Sequence, residues 1–240
     1  MTIDHAVPTR SPFFARTALL IAILALSSFP FTYLKPLVSG SRHFAALHHV
    51  HGAAFLAWLL LYVWQTRMIA DGKVARHREI GLVTLMVSGA MLPLGWWMAI
   101  YAVRARIAHG HALPFETSLY NVVDISLFAL SIVAAVLTVT RRVEWHRRFM
   151  FAAALNLLGP AISRWFLPLP EVFPLTDLGP NILADLFLIV LALHDRGVLG
   201  RVHPATILVG VFMIPLHLIE PMIARSDWWN LLAPALLKFD

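Results

Sequence analysis

Three imidazoles fall within five residues at the head of "LHHVHGAAFLAWLLLYVWQTR" (residues 47–67), and the rest of that stretch is nearly unbroken apolar sequence with no charge before Arg67. His48 and His51 are three apart and share one face of a helix. Farther along stand Asp124, Asp185, His217 and Glu220, each inside an otherwise apolar run, together with Arg164. Imidazole with carboxylate is the donor set that zinc or iron accepts, and a carboxylate often orients the ligating ring. A second histidine set has another character. His77, His146 and His203 each follow a short basic stretch, in "GKVARHREIG", "RRVEWHRRFM" and "GVLGRVHPAT". Imidazoles from two helices are what a b-type haem takes as axial ligands.

What can position these groups follows from composition. Of 240 residues, 59% are hydrophobic and only 13% charged, whereas a soluble domain carries about a quarter charged residues. Apolar runs long enough to cross the hydrocarbon layer recur along the chain, so the fold class is an all-α, polytopic membrane bundle. Seven spans are predicted, near residues 17–34, 44–64, 80–103, 117–139, 149–167, 178–193 and 204–224. The whole chain, 1–240, reads as one integral membrane domain. Residues 1–16 precede the first span, residues 168–180 form a Pro-rich loop, and residues 226–240 form an interfacial tail with paired tryptophans. A signal peptide is the alternative for the first span, but no small-x-small cleavage site follows "ALSSFPF".

The net charge of +6 is therefore no nucleic-acid footprint; basic residues in a membrane protein report orientation. Arg10, Arg16, Arg67, Lys73, Arg76, Arg78, Arg141, Arg142, Arg147, Arg148, Arg196 and Arg201 fall on the N-terminal side, twelve in all. Lys35, Arg42, Arg104, Arg106, Arg225 and Lys238, six residues, fall opposite. That asymmetry predicts a cytoplasmic N-terminus and an outside C-terminus, with a bacterial inner membrane as the setting. Cysteine is absent, which excludes disulfides, thiolate metal sites and cysteine nucleophiles.

Depth can now be compared between helices. From the outer boundary, His48 and His51 lie roughly 6 and 11 Å down, and Asp124, Asp185 and His217 roughly 10 Å. Arg164 lies roughly 5 Å down, and Glu220 is one turn from His217 on the same face. Five helices thus place ionisable groups in the outer leaflet, where an unpaired charge costs several kcal/mol. The leading expectation is a divalent-metal site on His48 or His51 with His217. Asp124 and Asp185 would act as catalytic ligand or base, and Arg164 and Glu220 would complete the polar cluster. Bound water would be the nucleophile and a lipid or small molecule the substrate. His51, Asp124, Asp185 and His217 are expected to line one cavity. Two alternatives stand beside it. A b-type haem on His77, His146 and His203 would make the chain an electron carrier. A scaffold, assembly factor or transporter would use the cluster only for packing, with Arg164 neutralising Asp124 or Asp185.

The elements "HVHGAAFLAW", "HREIG", "VVDISLF", "WHRRFM", "GPAISR", "ADLF" and "GRVHPAT" resemble those of an uncharacterised group of bacterial multi-spanning proteins, over roughly residues 47 to 206. The resemblance implies no activity. It adds weight to His49, His51, Gln65, His77, Asp124, His146, Arg164, Asp185 and His203. The layered histidines are also similar to those of cytochrome b561-like proteins, without their helix-pair spacing. Seven-helix membrane metal-dependent hydrolases share the His/Asp set, but here Glu220 rather than a second histidine follows His217.

Overall fold

The computed structural model describes residues 12–239. Eight helices and no strand are found among the described residues. They are α1 (Phe13–Val38), α2 (Ala46–Ala70), α3 (Val74–Ala108), α4 (Glu116–Thr138), α5 (Val143–Phe166), α6 (Leu175–Leu199), α7 (Pro204–Ala224) and α8 (Asp227–Leu236). Six of them, α1 to α5 and α7, are long and apolar enough to cross a membrane. Outside the interior prolines, each pairs its backbone polar groups within itself, the requirement for a segment surrounded by lipid.

Local chemistry explains the breaks. Within α1 the residues from Pro30 to Leu34 form a wider π-type turn, because Pro30 supplies no N–H to the ladder. α6 ends on Gly200 in the left-handed conformation, φ 70°, which glycine adopts without a Cβ clash. His203 then caps α7: its side chain accepts from the Ala205 N–H at 3.1 Å, and Pro204 occupies the first turn. Ser226 caps α8 in the same way through the Trp229 N–H.

α5 is the axle of the bundle and packs against α1, α4, α6 and α7. Its run from Phe151 to Gly159 is buried on every side, and the three alanines 152–154 let neighbouring helices approach closely. α2 packs against α1 and α3, and α3 packs against α4. α7 packs against α4, α5, α6 and the short α8. Leu82, Met86, Leu130, Leu137, Val211 and Phe212 face outward. That exposure suits a lipid surround and no aqueous one.

The expected irregular loop at 168–180 is shorter in the structure. α6 begins at Leu175 and extends to Leu199, past both ends of the expected span 178–193. Pro180 falls in its second turn. The remaining loop is strapped down by Arg225, which donates to Glu116, Glu171 and Asp177 and lies 4.0 Å from the Phe173 ring centre.

Candidate functional site

The bundle has two polar ends, and each holds one of the histidine sets. At the basic end, α1 to α5 line a cavity of about 590 Å³, within the range of small-molecule and cofactor sites. Its wall is mainly apolar, with Tyr62, Leu85, Ile132, Val136 and Met150 among the lining residues. Hydrogen bonds hold two walls in register. The Trp58 Nε1–H donates to Ser88 Oγ at 2.8 Å, and Gln65 donates to Thr84 at 3.3 Å.

His77 from α3 and His146 from α5 both line this cavity, with ring centres 6.4 Å apart and planes 76° apart. The Nδ1 of His146 donates to the Ala135 carbonyl at 2.9 Å, in the tautomer that leaves Nε2 a free acceptor. A backbone carbonyl behind an imidazole is the usual device for aiming a metal ligand. His77 Nδ1 is buried without a close partner, while the Gln65 backbone interacts with the ring. Arg78 and Arg147 also line the cavity, and Arg147 is paired with Glu144. His203 is elsewhere. It is spent as the α7 cap, and its ring packs edge-on against Trp145 at 5.5 Å. Of the three basic-end histidines, the structure thus brings two together.

Close by lies a contact that the sequence reading missed. Arg148, on α5, is 1% exposed and pairs with Asp195 on α6, which is fully buried. Asp195 also accepts from the Thr206 hydroxyl at 2.5 Å and the His203 N–H at 3.1 Å. One carboxylate therefore joins α5, α6 and α7.

The opposite end holds the acids. His217 Nδ1 lies 2.9 and 3.0 Å from the two Asp185 oxygens, while its Nε2 is buried with no partner. Glu220 is fully buried; Asn181 donates to its Oε2 at 2.8 Å, and Oε1 is left without a partner. Asp124 is buried and interacts electrostatically with Glu220. Asn181, the other missed member, could have been found: it precedes Asp185 by four residues and so shares its face. Room around it is tight, since a Cβ on Gly159 would lie 2.5 Å from Asn181 Oδ1. Gly159→Ala is expected to lower stability by about 1–3 kcal/mol through overpacking, read from thermal unfolding.

The α2 histidines form a separate group. His51 has Arg164 and His48 as its electrostatic neighbours. His48 stands edge-on to Tyr101, ring centres 4.8 Å apart, and His49 hydrogen-bonds the Tyr33 hydroxyl on α1. Of the four residues expected around one cavity, three are linked: His217 pairs with Asp185, both interact electrostatically with Glu220, and Glu220 interacts with Asp124, whereas His51 has Arg164 and His48 as its neighbours. Packing is the reason, since α2 lies against α1 and α3 while α7 lies against α4, α5 and α6. Among the described residues, no three of His, Asp and Glu converge closely enough to hold a metal ion. Arg164 forms no ion pair with Asp124 or Asp185.

Comparison with known proteins finds no matching family model, and no curated protein or solved structure that matches the chain.

Proposed function

We propose that this chain is a seven-span inner-membrane protein that binds one b-type haem in the basic-end cavity, with His77 and His146 as axial ligands. The observation that carries the reading is the meeting of these two rings across an apolar cavity. Two imidazoles on opposite sides of one iron, with metal–nitrogen bonds of about 2 Å, have ring centres about 6 Å apart. The 6.4 Å separation fits that span. Cavity size, apolar lining and the carbonyl behind His146 suit the same ligand. Arg78, which lines the cavity, suits a propionate. When bound, haem supplies one-electron exchange; the protein's part is to hold the iron six-coordinate and away from water. The α2 histidines offer no facing imidazole from another helix, so the reading is of one haem near one membrane face.

The test is an absorption spectrum of protein purified from haem-replete cells, oxidised and then reduced with dithionite. Split visible bands on reduction and one haem per chain are expected. A colourless protein overturns the reading.

The orientation belongs to the same proposal. Twelve of the basic residues on the N-terminal side put the cavity at the cytoplasmic face. The seventh span is α6, whose 25 residues pack between α5 and α7 like a spanning helix. A reporter fused after residue 240 should be active only outside the cytoplasm. Activity inside would remove one span.

A further inference from the structure

Arg164 poses a problem of its own. It sits on α5, two residues before the helix ends at Phe166, and only partly reaches solvent. Its Nη1 donates to the Pro160 carbonyl one turn back at 2.8 Å, and its guanidinium lies 5.4 Å from the Phe29 ring centre. No carboxylate among the described residues interacts with it. The nearby acids are committed elsewhere, Asp185 to His217 and Glu220 to Asn181. Its protonatable neighbour is His51, which in turn has His48 beside it, and His48 Nδ1 is buried without a partner. This corner therefore gathers two permanent positive charges, Arg164 and Arg42, with the imidazoles of His51, His48 and His49, and no carboxylate among the described residues interacts with Arg164.

A guanidinium at this depth is costly unless it meets a counter-charge. Arg164 opens onto a hollow of about 410 Å³ between α1 and α5, lined also by Ser27, Trp165 and Pro168. Trp165 is exposed, and tryptophan at a helix end marks the headgroup level. An arginine fork matches the oxygens of a phosphate in pairs.

We propose that Arg164, flanked by His51, forms an oxyanion site for a phosphate ester, and that an anionic lipid headgroup is its source. Four of the five guanidinium N–H bonds are left for the ligand after the Pro160 contact. The lipid chains would lie along α1 and α5, whose outward faces carry Leu19, Leu20 and Ile23 on α1. The site lies at the end of the bundle away from the cavity and does not depend on haem.

The experiment uses the full chain, delipidated in a neutral detergent. Three probes are titrated: dihexanoyl phosphatidic acid, dihexanoyl phosphatidylcholine and inorganic phosphate. Binding is read by native mass spectrometry or calorimetry. Phosphatidic acid should bind about tenfold or more tighter than phosphatidylcholine. Arg164→Gln should lose that preference, and Arg164→Lys should keep part of it, because charge survives but the fork does not. Helical circular dichroism checks that each variant is folded, and the lysine variant decides if the glutamine variant is not. Inorganic phosphate binding as tightly as the lipid, with the same dependence on Arg164, would uphold the oxyanion site and make a free anion its source. Undiminished phosphatidic acid binding by both variants would overturn the proposal.

Discussion

Asp195→Ala is expected to destabilise the bundle by about 3–5 kcal/mol, the usual consequence of stranding one member of a buried ion pair. Arg148 is 1% exposed, so its guanidinium would lose its carboxylate with no water to replace it. The Thr206 hydroxyl and the His203 N–H would lose their acceptor in the same step. Glu144, which also accepts from Arg148 at 2.6 Å, is half exposed and leaves the buried side of the guanidinium unanswered. The pair itself need not be a strong net source of stability. Desolvation offsets most of the attraction, so a double substitution to apolar residues, Arg148→Met with Asp195→Leu, should recover most of the loss. Thermal or denaturant unfolding in a fixed detergent or nanodisc measures all three proteins. A loss below about 1 kcal/mol for Asp195→Ala would mean that the carboxylate is effectively solvated, against its complete burial here.

That latch also shows where sequence reading stops. The helical, lipid-facing character of the chain was legible, because apolar length and scarcity of charge act segment by segment. The opposite-end acids were legible as individuals for the same reason: a carboxylate such as Asp124 or Asp185 inside an apolar run stands out. Their partners were not. Asp195 fell beyond the expected end of span six, where a charged residue looks like ordinary loop, and only the two-turn extension of α6 carries it inside. Equal depth also proved a weak guide to contact. His51 and His217 are level along the membrane normal by helix arithmetic, yet helix packing separates them around the bundle. The recurrence of His77, His146 and His203 after basic loops was visible, but their different fates depend on local backbone. His203 precedes a proline and becomes a cap, whereas His77 and His146 lie one turn inside α3 and α5, with rings turned to the cavity.

That difference gives the sharpest test of the site. His146→Ala and His77→Ala should each abolish the split visible bands of the reduced protein, and bound haem should fall about tenfold or more, because a six-coordinate iron loses an axial bond. His203→Ala should keep the full spectrum, since its ring packs on Trp145 and its nitrogen serves a backbone N–H; only a cap of about 1 kcal/mol is at stake. Loss of haem through misfolding would look superficially alike, so two further readouts separate the causes. Helical content by circular dichroism should be unchanged in both cavity variants. Imidazole added to the folded His146→Ala protein should restore the six-coordinate spectrum, because the cavity left by the side chain admits the free ring. The Ala135 carbonyl fixes the His146 tautomer and raises its basicity. A protein in which His203→Ala removes the spectrum and His146→Ala preserves it would place the ligands at the other side of α5. The basic-end cavity would then need a different occupant.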